Sequence, residues 1–189
     1  MDDIKNIILD KAKERAERFG YKKTTMDEIS KDCRISKKTI YEHFTDKEEL
    51  FRSLVMRECQ RVTEMLFAQI ADINDPVEKL THLIHNAVAY FSQDNFIVKI
   101  LRDDKVDLLL KEKGYREIID KEVIALIADI IRDGKARGSF RDVDEELTAY
   151  AGFKLFLAFT VERPDFLRPQ DEGYYAAILT DFIVNGIAK

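Results

Sequence analysis

Apolar residues recur every three to four positions along most of this chain, and the recurrences are punctuated by residues that start and stop helices. Ile4, Ile8, Ala12, Ala16 and Phe19 form the stripe of a first amphipathic helix, with Gly20 as its stop. Thr25-Met-Asp-Glu28 has the form of a capping box, and Met26, Ile29 and Cys33 behind it predict two turns over 26–33. Ser36 is placed to cap a second short helix over 37–43, held down by Ile40 and Phe44. Thr45-Asp-Lys-Glu48 reads as a second capping box. It opens a long helix striped by Phe51, Val55, Cys59, Val62, Leu66 and Ile70. Asn74-Asp75-Pro76 predicts the start of a further helix reaching about residue 92. A shorter helix is expected near 95–110. Another is expected over about 115–137, with Ile119, Val123, Leu126, Ile127 and Ile130 inward and Gly134 and Gly138 marking its end.

The last two segments have a different pattern. From Leu147 to Val161 only Lys154 is charged, and from Tyr174 to Ile187 only Asp181. A helix apolar all round is buried all round, and these two are too short to span a bilayer. A chain of 189 residues has limited interior in which to hide them. One face on the chain's own core and the other on a second copy is the simplest solution, giving a four-helix interface in a homodimer. The interface candidates are Leu147, Tyr150, Phe153, Leu157, Tyr175, Leu179 and Phe182. The alternative is burial of both helices in a large monomeric core.

Composition narrows the fold class to all-α. Hydrophobic residues make up 46% and charged ones 35%, with only 7 Gly and 3 Pro. An all-β fold would need more turn residues. Cys33 and Cys59 read as two reduced thiols in a cytoplasmic protein rather than a disulfide framework. The Met-Asp-Asp opening is not that of an export signal, and no membrane span is expected. The net charge of −5 falls wholly on residues 51–189, because residues 1–50 carry equal numbers of both signs. Within 18–44, Arg18, Lys22, Lys23, Lys31, Arg34, Lys37 and Lys38 outweigh Asp27, Glu28, Asp32 and Glu42. That local excess is small, and on its own it would not identify a nucleic-acid binder.

The geometry of 25–44 is more informative. Two short helices joined by the tight turn Arg34-Ile35 make a helix-turn-helix, whose second helix offers Lys37, Lys38, Thr39, Glu42 and His43 outward. Tyr41 lies beside the buried face, with its hydroxyl free for a phosphate.

Three runs now become recognisable: Thr24-Thr25-Met26-Asp27-Glu28-Ile29-Ser30, Ile35-Ser36-Lys37-Lys38-Thr39-Ile40-Tyr41-Glu42-His43-Phe44, and Asp46-Lys47-Glu48-Glu49-Leu50-Phe51. In this order and spacing the chain resembles TetR-family regulators, tightly over about 4–60 and loosely beyond. Gly134-Lys-Ala-Arg-Gly138-Ser-Phe140-Arg141 also resembles the family's connection between its seventh and eighth helices. Two positions depart from the family pattern. Arg34 occupies a turn position that is usually a left-handed Gly, at a cost of about 1 kcal/mol. Lys38 stands where Gly is frequent.

The resemblance implies about nine helices. An N-terminal helix-turn-helix domain (1–60) would precede a helical effector-binding and dimerisation domain (61–189). It also implies a homodimer on a palindromic double-stranded DNA operator, most often as a repressor that responds to a small-molecule effector. The DNA-binding candidates are Thr24, Thr25, Lys37, Tyr41, His43 and Lys47 for phosphates, and Lys38 and Thr39 for base edges. Met65, Phe67, His82, His85, Phe91 and Phe96 are candidates for an effector pocket. His82 and His85 share a helix face with Glu78, but three ligands from one helix rarely complete a metal site, so none is expected. Asp103-Asp104-Asp107 reads as a solvated helix start. No catalytic motif stands out, and neither enzyme activity nor a cofactor is expected. Two alternatives remain at this point: a helical interaction module that no longer binds DNA, and a ligand-independent DNA binder controlled by a protein partner.

Overall fold

The computed structural model describes residues 2–112, 114–162 and 172–189. Ten α-helices lie among them: α1 (Asp2–Lys23), α2 (Met26–Asp32), α3 (Lys37–His43), α4 (Lys47–Ala68), α5 (Pro76–Ser92), α6 (Phe96–Leu101), α7 (Asp104–Glu112), α8 (Tyr115–Ala136), α9 (Glu145–Thr160) and α10 (Glu172–Thr180). Helix α10 runs on into one wider π turn, Asp181–Asn185. The chain divides into two compact units. One comprises the residues up to Gln60 with Phe96–Glu117, and the other Arg61–Asn95 with Ile118–Lys189. Helix α4 therefore contributes to both.

In the first unit Ile8, Ala12, Ile29, Ile40, Phe44, Leu50, Phe51, Leu54 and Val55 are buried together with Phe96, Ile97, Val106 and Leu110 of α6 and α7. Gly20 interrupts α1 at φ 79°, where a residue without Cβ avoids strain, and the helical turns resume as far as Lys23. The cap of α4 lies one residue later than expected. Asp46, not Thr45, accepts from the Glu49 amide (2.7 Å), and the Glu49 carboxylate reaches back to the Thr45 amide (2.7 Å) and hydroxyl (2.6 Å). A carboxylate is a stronger acceptor than a hydroxyl, so Asp46 takes the capping position. Glu48 is thereby released towards Arg52 one turn on (3.8 Å). The single helix expected near 95–110 is two, which is why ten helices are described rather than nine. Asp103 breaks the run and accepts from the Lys105 (3.0 Å) and Val106 (3.4 Å) amides to start α7.

In the second unit Asp75 caps α5 through the Glu78 amide (2.8 Å), with Pro76 in the first turn. Leu80, Leu83, Ile84 and Val88 of α5 are buried, as are Phe153 and Leu157 of α9 and Tyr175 and Leu179 of α10. The buried face of α8 is Ala128, Ile130, Ile131 and Gly134, while Leu126, expected inward, is exposed. Gly134 allows close approach on that face. A Cβ at Gly134 would lie 2.1 Å from the Phe140 ring. Gly138 (φ 77°) turns the chain, and Ser139 and Phe140 donate their amides back to the Gly134 carbonyl. The chain end is pinned here as well: Arg141 donates to Ile187 (2.8 Å) and Lys189 to Ser139 (3.0 Å).

Candidate nucleic-acid interface

Helices α2 and α3 are held by caps and a turn that the local sequence supplies. Thr25 accepts from the Glu28 amide (3.3 Å), and Glu28 accepts from the Thr25 amide (3.1 Å) and hydroxyl (2.9 Å). Hydrogen bonds from Arg15 and then Thr25 hold the Glu28 carboxyl below the usual carboxylate range. Arg15 also reaches Asp32 (2.6 Å), so one guanidinium of α1 ties down both ends of α2. Replacing Thr25 with Ala is expected to cost about 1 kcal/mol in urea unfolding, with Thr25→Ser near wild type. An unchanged midpoint for Thr25→Ala would show the box to be idle.

The turn after α2 closes by two backbone bonds, Ile35 amide to Ser30 carbonyl and Arg34 amide to Lys31 carbonyl, each 3.0 Å. That paired pattern needs a left-handed residue, and Arg34 adopts it at φ 55°. Ser36 then caps α3 through the Thr39 amide (3.0 Å). Ile40 and Phe44, fully buried, anchor α3 from beneath.

The expected DNA-binding residues fall into three groups. Lys37, Lys38 and Tyr41 are exposed; Lys37 pairs with Asp27 of α2, and Lys38 lies 3.8 Å from Glu42. Thr25 is exposed but engaged in its cap, Thr39 is half-buried against Ser36 (2.9 Å), and His43 is half-buried. Thr24 and Lys47 are turned inward. Thr24, expected at a phosphate, is wholly buried and donates its hydroxyl to the Gly20 carbonyl (2.9 Å), a partner created by the break in α1. Lys47 folds over the Tyr21 ring (4.0 Å) and donates to the Tyr21 carbonyl (2.5 Å); burial pulls its pKa down. Glu42, expected outward on α3 but not among the DNA-binding candidates, is exposed as well. It stands two residues from each anchor.

The other predicted sets are also divided. Of the interface candidates, Leu147, Tyr150 and Phe182 are exposed (65%, 49% and 68%). Phe153, Leu157, Tyr175 and Leu179 are buried against the chain itself. Of the effector candidates, Phe67 and Phe91 are half-buried, with Phe91 edge-on to Phe156 (5.3 Å). Met65 lies at the margin of exposure. His82 and His85 are on the outer side of α5, where His82 lies 3.8 Å from Glu78, so they do not face the buried side of that helix. Phe96 is buried in the first unit, whereas the others belong to the second. Among the described residues no group of three or more His, Cys, Asp or Glu is placed to hold a metal ion, and no helix is long and apolar enough to cross a membrane.

Comparison with known proteins agrees with this geometry. Residues 8–54 match the model of a family described as bacterial regulatory proteins, tetR family. The chain is 27% identical to the HTH-type transcriptional regulator YhgD of Bacillus subtilis (strain 168), over 98% of its own length and 97% of the relative's. It is 31% identical to the HTH-type transcriptional repressor KstR2 of Mycolicibacterium smegmatis, over 68% and 63% of the two chains. Among solved structures, AibR in complex with isovaleryl coenzyme A and operator DNA shares the fold at a TM-score of 0.66 and 20% identity, covering 96% of this chain and 98% of that one.

Proposed function

This chain belongs to the TetR family of bacterial regulators, and from that premise we propose that it is a homodimeric, ligand-responsive repressor of transcription that reads a palindromic DNA operator. The observation that carries the proposal is α3, a short rod closed by a full turn motif behind it and anchored by Ile40 and Phe44, with Lys37, Lys38 and Tyr41 exposed. Such a rod enters a major groove without reorganising, and its lysines meet phosphates and base edges. On a net charge of −5, this local basic footprint favours one docking face over general adhesion.

A dimer supplies the second head. The exposed apolar residues Leu147 and Tyr150 of α9, with Tyr174 of α10 and Phe182 beyond it, form the face we assign to the partner copy. Leu147→Glu combined with Phe182→Glu is expected to convert the protein from dimer to monomer in analytical ultracentrifugation. A persistent dimer would place the interface elsewhere.

The effector acts by differential affinity for two arrangements of α4, a helix that carries residues of both units. AibR, which shares this fold, is found in complex with both isovaleryl coenzyme A and operator DNA, and that pairing supports the reading. The protein works by binding rather than catalysis, in the cytoplasm beside the nucleoid. Selection of duplexes from a random pool tests the proposal: a symmetric motif should emerge, with affinity falling steeply as salt rises. A pool showing no salt-sensitive preference would sink it.

A further inference from the structure

The direction of each side chain on α3 follows from its two anchors. At about 100° per residue, Glu42 lies about 160° from both Ile40 and Phe44, more directly opposed to the buried side than any other residue of the helix. Lys38 comes next, about 160° and 120° from the same two residues. Tyr41 lies at the edge of the rod, about 100° and 60° from the anchors, and Lys37 lies on their side, about 60° and 20° away, where it opens the helix and is already paired with Asp27 of α2. The outermost line of the helix is therefore an acid and a base one turn apart, 3.8 Å from each other and both solvent-exposed.

A carboxylate at the leading edge of a groove-binding helix needs a reason, because phosphates flank the groove on both sides. The ion pair with Lys38 is not sufficient, since an exposed pair at this spacing contributes only about 0.3–0.5 kcal/mol. A base edge offers a better one. In the major groove cytosine presents its N4 amino group as a donor, whereas adenine's amino group lies beside the N7 acceptor, which repels a carboxylate. Lys38, a donor only, matches the guanine O6 and N7 acceptors and balances the charge.

We propose that Glu42 is a specificity-determining residue that accepts a hydrogen bond from a cytosine N4 in each half-site, with Lys38 on a neighbouring guanine. This rests on the DNA-reading function proposed above and adds to it the base that α3 selects.

The test is selection from a random duplex pool by wild type, Glu42→Ala and Glu42→Gln. Wild type should select cytosine at one position of each half-site, by about tenfold or more over other bases. Glu42→Ala should release that position to less than about twofold while the remaining positions keep their preferences, and its affinity for unrelated DNA should rise as a negative charge leaves the groove. Glu42→Gln keeps the side-chain size and should lose the cytosine preference as well, because its amide also donates. The inference is overturned if both variants select the wild-type motif at every position, or if the position they release was not cytosine in wild type. A wild-type protein that selects no motif overturns the DNA-reading function itself, so the two failures are distinct.

Discussion

Replacing Lys37 and Lys38 together with glutamate should reduce operator affinity by on the order of a hundredfold or more and flatten its dependence on salt. Each phosphate neutralised by a lysine releases counterions and contributes roughly 0.9 to the slope of log affinity against log salt. A dimer carries the pair twice, so the double substitution removes up to two phosphate contacts by Lys37 and two base-edge contacts by Lys38, and adds four repulsions. The fold should survive, because Lys37 and Lys38 are exposed and their pairs with Asp27 and Glu42 are surface pairs of about 0–1 kcal/mol. Fluorescence anisotropy across a salt series reads both quantities, and thermal melting confirms folding. Undiminished affinity with the original slope would move the DNA interface away from α3.

The second large effect concerns the corner where α8 ends. Phe140 is 1% exposed and its ring lies over Gly134, so Phe140→Ala should cost about 3–5 kcal/mol through lost burial and the cavity left behind. Gly134→Ala should cost about 1–3 kcal/mol by overpacking, because its Cβ would meet the rigid ring rather than a flexible chain end. The informative measurement is the double variant. Once the ring is gone the added methyl has room and improves helix propensity, so the double should be no less stable than Phe140→Ala alone. Simple additivity of the two losses in denaturant unfolding would mean that the contact does not limit stability. The resemblance singled out both residues as part of a connection between helices, and the structure supplies the reason: an absent side chain makes space for a present one.

Much of the head was legible from its sequence because its determinants are local. A capping box spans four residues, and the turn bonds from Ile35 and Arg34 span five and three, so the bounds of α2 and α3 and the left-handed Arg34 follow from neighbouring residues alone. The shifted cap at Asp46 marks the margin of that legibility, where two adjacent acceptors compete and the stronger one wins.

What the sequence determined by itself was therefore the helices, their caps and the family to which they belong, since each depends on contacts between residues a few positions apart. Tertiary structure decided which side faces inward in the helices that lack a polar face. Helices α9 and α10 are apolar all round, so periodicity carries no direction, and only packing separates buried Phe153 and Leu179 from exposed Leu147 and Phe182. The same holds for Lys47, drawn over Tyr21 from another helix, whereas Thr24 turns inward to a carbonyl only four residues back, freed by the break at Gly20. For those two helices and for Lys47 the deciding partner is set by how segments pack, and the energy of that contact outweighs any local preference for solvent.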